Sequence, residues 1–151
     1  MPATSQITDN PVTVSENGRG PYQQTVRVGK HQLIADEPPS LGGDDGGPAP
    51  TDFLLAALGA CTSITLRMYA ERKQIPLAGV QVALTLEKIE QAGKGKVDHI
   101  TRKITLTGDL SSVQRDSLLS IANKCPVHRL LHSGVLIDSE LVETGDQPTV
   151  G

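Results

Sequence analysis

The sequence predicts an α+β domain with the element order βββ-α-ββ-α-α-β. Three patterns carry this prediction. Stretches of period-two alternation stand near both ends of the chain and in its middle. One long apolar run with helical repeat separates the first group from the second. A shorter amphipathic stretch follows the central pair. A chain of 151 residues suits a single domain spanning 1–151, with an ordered core at about 11–143 and loose termini.

The first ten residues are polar. "PVTVSEN" (Pro11–Asn17) alternates and reads as a strand, closed by the turn "GRG". "PYQQTVRVG" and "HQLIAD" read as two strands joined tightly at Gly29-Lys30. "EPPSLGGDDGGPAP" (Glu37–Pro50) is a long Pro/Gly loop, a length that often serves function. A long helix follows, with Thr51 as N-cap and Asp52 at the positive end of the macrodipole. Leu54, Leu58, Cys61, Thr65 and Met68 share one face of it, and Pro76 ends it. Its small residues, among them Ala56, Ala57, Gly59, Ala60 and Ser63, allow close approach of other backbones, which predicts a central position.

"VQVALTLEKIE" and "VDHITRKITLTG" alternate across "QAGKGK" and predict a long hairpin, with Glu87 and Glu90 on its exposed side. "DLSSVQRDSLLSIANK" is a second helix, capped near Asp109 or Ser111, burying Val113, Leu118, Ile121 and Ala122. "CPVHRLLHSG" makes a turn and a short helix with Pro126 in its first position. "VLIDSELVE" reads as a last strand, and "TGDQPTVG" as a disordered tail.

Composition narrows the function. Hydrophobic residues make up 37% of the chain, with no Trp, one Phe and two Tyr, so the core is built from Leu, Ile, Val and Ala. A net charge of −3 gives no electrostatic drive toward nucleic acid, and the few aromatics offer no base-stacking platform. No apolar run reaches the roughly 18 residues of a bilayer span. "MPATSQITDNPV" lacks the basic and apolar regions of a secretory signal. The expectations are no nucleic-acid partner, no membrane and a cytoplasmic location. There, two cysteines are expected to be reduced, catalytic or redox-active rather than a structural staple.

Cys61 has two readings: a small buried hydrophobe, or a nucleophile that must be a thiolate to react. It lies about ten residues into its helix, beyond the reach of the N-terminal dipole. A thiolate there needs a cation from elsewhere. Arg67 points about 240° away around the helix, which leaves Arg19 in the "NGRG" turn as first candidate and Arg27 as second. Cys125 precedes Pro126, so helix-terminal amides can lower its pKa; otherwise it packs under the loop. Should the two sulfurs meet, they can cycle between dithiol and disulfide. A rival reading is a metal site, because Cys125, His128 and His132 have the spacing C-x2-H-x3-H and Cys61 could add a fourth ligand. Outside that reading, His128 supports or packs beside Cys125 and His132 is a surface residue. Asp44 and Asp45 read as solvated loop carboxylates. No phosphate loop, nucleotide fingerprint or hydrolase elbow is present.

Taken together, "GPAPTDFLLAALGACTSITLRMYAERK" and "ANKCPVHRLL", with "HQLIADEP" ahead of a "GG…GP" loop, resemble the OsmC/Ohr family over roughly residues 12–142. The helix resembles the less characterised OsmC-like branch more than the dedicated organic hydroperoxide resistance branch. The resemblance implies an intertwined homodimer with two central helices at its core, swapped strands and two sites at the interface. It also implies that Cys61 attacks a small apolar hydroperoxide and becomes a sulfenic acid, and that Cys125 resolves it as a disulfide. An external dithiol or lipoyl-protein reductant then completes the cycle, with no bound cofactor and with Arg19 steadying the thiolate. The sequence departs from the peroxidase branch after Pro50. Thr51 stands where that branch has a glutamate, and Asp52 could replace it only if the helix start shifts. The alternative on the same fold is a non-catalytic small-molecule binder or redox sensor.

Overall fold

The computed structural model describes residues 10–143. The expected loose ends at 1–9 and 144–151 lie outside the described residues. Strands β1 (Thr13–Glu16), β2 (Gln24–Val28) and β3 (His31–Ala35) form an antiparallel sheet in chain order. Helix α1 (Pro50–Arg72) follows, then the hairpin β4 (Leu77–Gln91) and β5 (Gly95–Gly108), then α2 (Ser112–Ala122) and α3 (Pro126–Ser133). The α+β class and the order of these elements are as the sequence predicts. The last strand is a correction: residues 135–143 form none within the chain. A strand needs an edge to pair with, and this segment instead leaves Leu136, Ile137 and Leu141 exposed.

The β2–β3 turn falls on Gly29-Lys30, where Gly29 takes a positive φ of 55°. The segment from Asp36 to Ala49 folds back on this sheet. Its latch is the buried carboxylate of Asp36, which accepts from the backbone N–H of Glu37 at 2.8 Å and of Gly46 at 2.9 Å. Gly46 leaves room for that contact, since a Cβ there would meet Gln23 and Asp36. These amide donors, Gly46 first, hold the Asp36 carboxyl below its ordinary 3.8, against a smaller effect of burial. A depressed folded-state pKa stabilises the fold above the unfolded value and is lost as pH falls through the folded one. Asp36→Asn, which turns an NH2 toward one of the two amides, is therefore expected to lower the melting temperature at neutral pH. Melting curves on acidification should show the gap to wild type closing below pH 3.8. A gap that persists unchanged at that pH would mean that the latch is not electrostatic.

Helix α1 begins two residues earlier than expected. Ala49 is the N-cap, Pro50 takes the first helical position, and Thr51 makes no capping bond. Asp52 reaches back from the third position to accept from Ala49 N–H at 3.0 Å. At the other end, Gln74 adopts φ 53°, Ile75 N–H donates to Ala70 O at 2.8 Å and Gln74 N–H to Glu71 O at 3.3 Å. This closes the helix with a Schellman turn just before Pro76. With its 23 residues, α1 is long and apolar enough to cross a membrane, which corrects the expectation that no stretch is. Within the chain it packs on β4, α2 and α3.

The buried face of α1 is Leu58, Thr62, Leu66 and Ala70. It is turned by about one position from the face expected, for Leu54 and Met68 are 40% and 58% exposed. The reason is that α1 is apolar on more than one side, so periodicity alone does not choose the side that faces the core. Leu66, Ala70, Leu77, Leu118 and Ala122 form that core, with Val80, Ile104 and Leu106 of the hairpin packed against it. Gly59 sets the helix close to the sheet, where a Cβ would press on Leu84 at 2.8 Å. Helix α2 starts at Ser111 with a reciprocal cap: its Oγ accepts from Gln114 N–H at 3.1 Å, and Gln114 Oε1 accepts from Ser111 N–H at 3.0 Å. It buries Leu118 and Ala122, half-buries Ile121 and leaves Val113 72% exposed, contrary to the expected face.

Candidate active site

Folding brings Cys61 and Cys125 together from 64 positions apart. Cys61 lies midway along α1 and is half-buried; Cys125 is the N-cap of α3 and fully buried; both are free thiols. The Cys61 thiol interacts with the Cys125 thiol and with the backbone N–H of Val127. The next amide, His128 N–H, donates to Cys125 Sγ at 3.3 Å. Two consecutive amides at the start of α3 thus face one sulfur each. Pro126 holds the first helical position, where an N–H would have no intrahelical partner. Placing Cys125 just before Pro126 therefore puts its sulfur at the helix end where charge is favoured.

These contacts oppose one another at Cys61. Burial, the largest influence, raises its pKa above the ordinary 9.0, and the neighbouring Cys125 adds to the rise. The Val127 amide, and less strongly Thr65, pull it down. The resting thiol is thus held protonated at neutral pH. Alkylation of Cys61 by iodoacetamide, followed by peptide mass spectrometry, is expected to speed up with pH and to keep rising beyond pH 9. A plateau near pH 7 would show that a cation outside this cluster reaches the sulfur.

A residue the sequence reading missed completes the cluster. Arg102 on β5 donates through Nη1 to Thr62 Oγ1 at 3.0 Å and to Ala122 O at 3.3 Å, and through Nη2 to Asn123 Oδ1 at 2.8 Å. The Thr62 hydroxyl lies 2.7 Å from Leu58 O, to which it donates, and 4.0 Å from Cys125 Sγ. The signal for Arg102 was present in the sequence. It alternates in step with Ile100, Ile104 and Leu106, a charged residue on the apolar side of its strand.

The other expected site residues lie elsewhere. Arg19 sits in the exposed β1–β2 turn, where its backbone N–H donates to Asn17 Oδ1 at 2.9 Å, and it is not among the groups acting on Cys61 within the chain. Arg27 is exposed on β2. Thr51 and Asp52 are at the start of α1, and nine residues of helix put Asp52 about 13 Å from Cys61. The His128 ring stacks on His132 with centroids 5.9 Å apart, and its pKa is lowered by burial, then by Arg102 and His132. It is therefore neutral at pH 7. Among the described residues of the chain no three His, Cys, Asp or Glu side chains converge as a metal ion would require. A groove of about 260 Å³ is lined by Leu58, which lies about one turn before Cys61 on α1, and by Asp98, Ile100, His128, Leu131 and His132.

The model for OsmC-like proteins matches residues 42–140, a span that contains α1, the hairpin, α2, α3 and both cysteines. This chain belongs to the OsmC-like protein family. Solved structures agree in fold. An organic hydroperoxide resistance protein OsmC from Legionella pneumophila shares 22% identity and a TM-score of 0.62, with 83% of this chain and 90% of that one covered. An OsmC-like protein from Mycoplasma pneumoniae shares 18% identity and a TM-score of 0.68, covering 83% and 89%. An organic hydroperoxide resistance protein from Elizabethkingia anophelis shares 18% identity and a TM-score of 0.60, again covering 83% and 89%. At these identities the likeness concerns the fold. No curated protein matches this OsmC-like chain at a significant level.

Proposed function

We propose that this OsmC-like protein is a two-cysteine, thiol-dependent peroxidase for small apolar organic hydroperoxides. The nearness of Cys61 and Cys125, two free thiols that influence each other, supports this reading. The Cys61 thiolate attacks the terminal oxygen of the hydroperoxide, the O–O bond breaks, and the alkoxide leaves and takes a proton to become the alcohol. Cys61 is then a sulfenic acid. The Cys125 thiolate attacks its sulfur, hydroxide leaves as water, and a disulfide forms before further oxidation can trap the intermediate. An external dithiol, free or lipoyl-bound, reduces the disulfide by exchange and becomes a disulfide itself. The less exposed Cys125 suits the second step, and the half-buried Cys61 the first. Apolar Leu58, Ile100 and Leu131 in the adjoining groove suit an organic substrate.

The same reading includes a homodimer. On α1 the exposed Leu54, Ala57, Ile64 and Met68, with Cys61 among them, follow the 3-4-3-4 spacing of a two-helix seam. The exposed apolar segment 135–142 supplies a strand for a second copy. Arg19, outside the cysteine cluster of its own chain, would serve the thiolate across that interface. The raised pKa of Cys61 favours one competing reading, a sensor that is oxidised slowly and once.

One equivalent of cumene hydroperoxide, followed by peptide mass spectrometry, separates the readings. A Cys61–Cys125 disulfide with multiple turnovers on dihydrolipoamide is the expected result. Stoichiometric oxidation without turnover identifies the sensor. Unmodified cysteines would overturn both.

A further inference from the structure

We infer that Arg102 is a positioning residue for Cys125, fixing the α2–α3 junction and setting a permanent positive charge behind the resolving sulfur. The inference rests on the reading of Cys125 as the resolving thiol. Arg102 arises from β5, yet its three bonds go to α1 and to the end of α2. Ala122 O, one of its acceptors, also accepts from Cys125 N–H at 3.4 Å, so guanidinium and cysteine share an anchor. Its other Nη1 acceptor, Thr62 Oγ1, is 4.0 Å from Cys125 Sγ. The charge is therefore at most about 7 Å from the sulfur, across an interior where attraction between charges is less screened than in water.

An arginine on the apolar face of a strand is costly unless it is paired. Among the described residues all three partners are neutral oxygens, which leave its charge uncancelled at the place where the proposed cycle develops a thiolate. That thiolate appears twice: when Cys125 attacks the Cys61 sulfenic acid, and when an external thiol attacks the disulfide at Cys61 and Cys125 leaves. Around Cys125 stand Cys61 and Thr62 from α1, Ala122 at the end of α2 and the His128 amide of α3, with Arg102 of β5 joined to the group through Thr62 and Ala122. His128, with His132 stacked on it, is neutral, and Lys124 beside it is exposed. Arg102 is the cation of that set turned inward.

The test compares wild type, Arg102→Met, Arg102→Gln and Arg102→Lys in the full chain, with two oxidants. Diamide needs no peroxidase activity. The Cys61 thiolate adds to its N=N bond and a nitrogen takes up a proton. The Cys125 thiolate then displaces the hydrazine, which takes the second proton, and the disulfide closes. Quenched samples are mapped by mass spectrometry between pH 5 and 10. Arg102→Met and Arg102→Gln are expected to slow closure about tenfold and to move its pH profile to higher pH, while the first capture at Cys61 changes less than about twofold. Arg102→Gln keeps donors without charge, so it makes the comparison even where the Met variant does not fold. Arg102→Lys should restore most of the rate. Closure at the wild-type rate and pH profile in the Gln variant overturns the inference. So does equal slowing in Gln and Lys variants with an unshifted profile, which identifies a structural brace only. Cumene hydroperoxide separates the two claims. Wild type that ignores it, yet closes with diamide in an Arg102-dependent way, refutes the peroxidase and supports Arg102.

Discussion

Cys61→Ser is expected to abolish hydroperoxide reduction, with a loss of about a thousandfold or more in turnover. The reason is chemical. A serine hydroxyl is far less ionised and less nucleophilic than a thiol. Cys125→Ser has a different signature. The first step survives, so one equivalent of alcohol forms, but the sulfenic acid on Cys61 has no neighbouring thiol to capture it. Further oxidant should drive it to sulfinic acid, read as a mass increase on the Cys61 peptide. Product analysis from both variants under the same conditions distinguishes nucleophile from resolver. If Cys61→Ser still turns over at the wild-type rate, the assignment is wrong.

Leu66→Ala should be among the most damaging core substitutions, at a cost of about 2–5 kcal/mol. Leu66 is fully buried within the cluster that joins α1 to Leu77 of β4 and to Leu118 and Ala122 of α2. Removing it leaves a cavity that Ala70 and Ala122 are too short to fill, so Leu77 and Leu118 could close it only by giving up their own packing. Denaturant unfolding should show a lower midpoint. The control is Val113→Ala, 72% exposed and expected to change stability by less than about 0.5 kcal/mol. Equal effects at the two sites would mean that the core is not where burial places it.

The elements were legible where one local rule dominates. Period-two alternation located the long hairpin, the start of α2 was narrowed to Asp109 or Ser111, and Cys125-Pro126 marked the start of α3. Legibility failed where the deciding partner is distant or absent. The buried face of α1 could not be chosen because apolar residues occur on several sides. The segment 135–143 has strand-forming residues but no edge within its own chain. The contact between the cysteines depends on how α3 crosses α1, which no spacing encodes. The cation candidates were Arg19 in a turn and Arg27 on a strand, although Arg102 broke the apolar alternation of β5 in plain view. A charged residue on the wrong side of a strand is the stronger sign, because only specific partners make it tolerable.

The adjacent amides of Val127 and His128 have a consequence for how this site can vary. Electron density moves from one sulfur to the other as the proposed cycle runs, and each resting place already has a donor turned toward it. Those donors are peptide bonds. Exchange of the side chains at 127 and 128 leaves them in place, provided that neither becomes proline. The most durable part of the proposed sulfur site is thus written in the backbone, leaving sequence drift free to retune the groove and its rim while the two sulfurs stay housed.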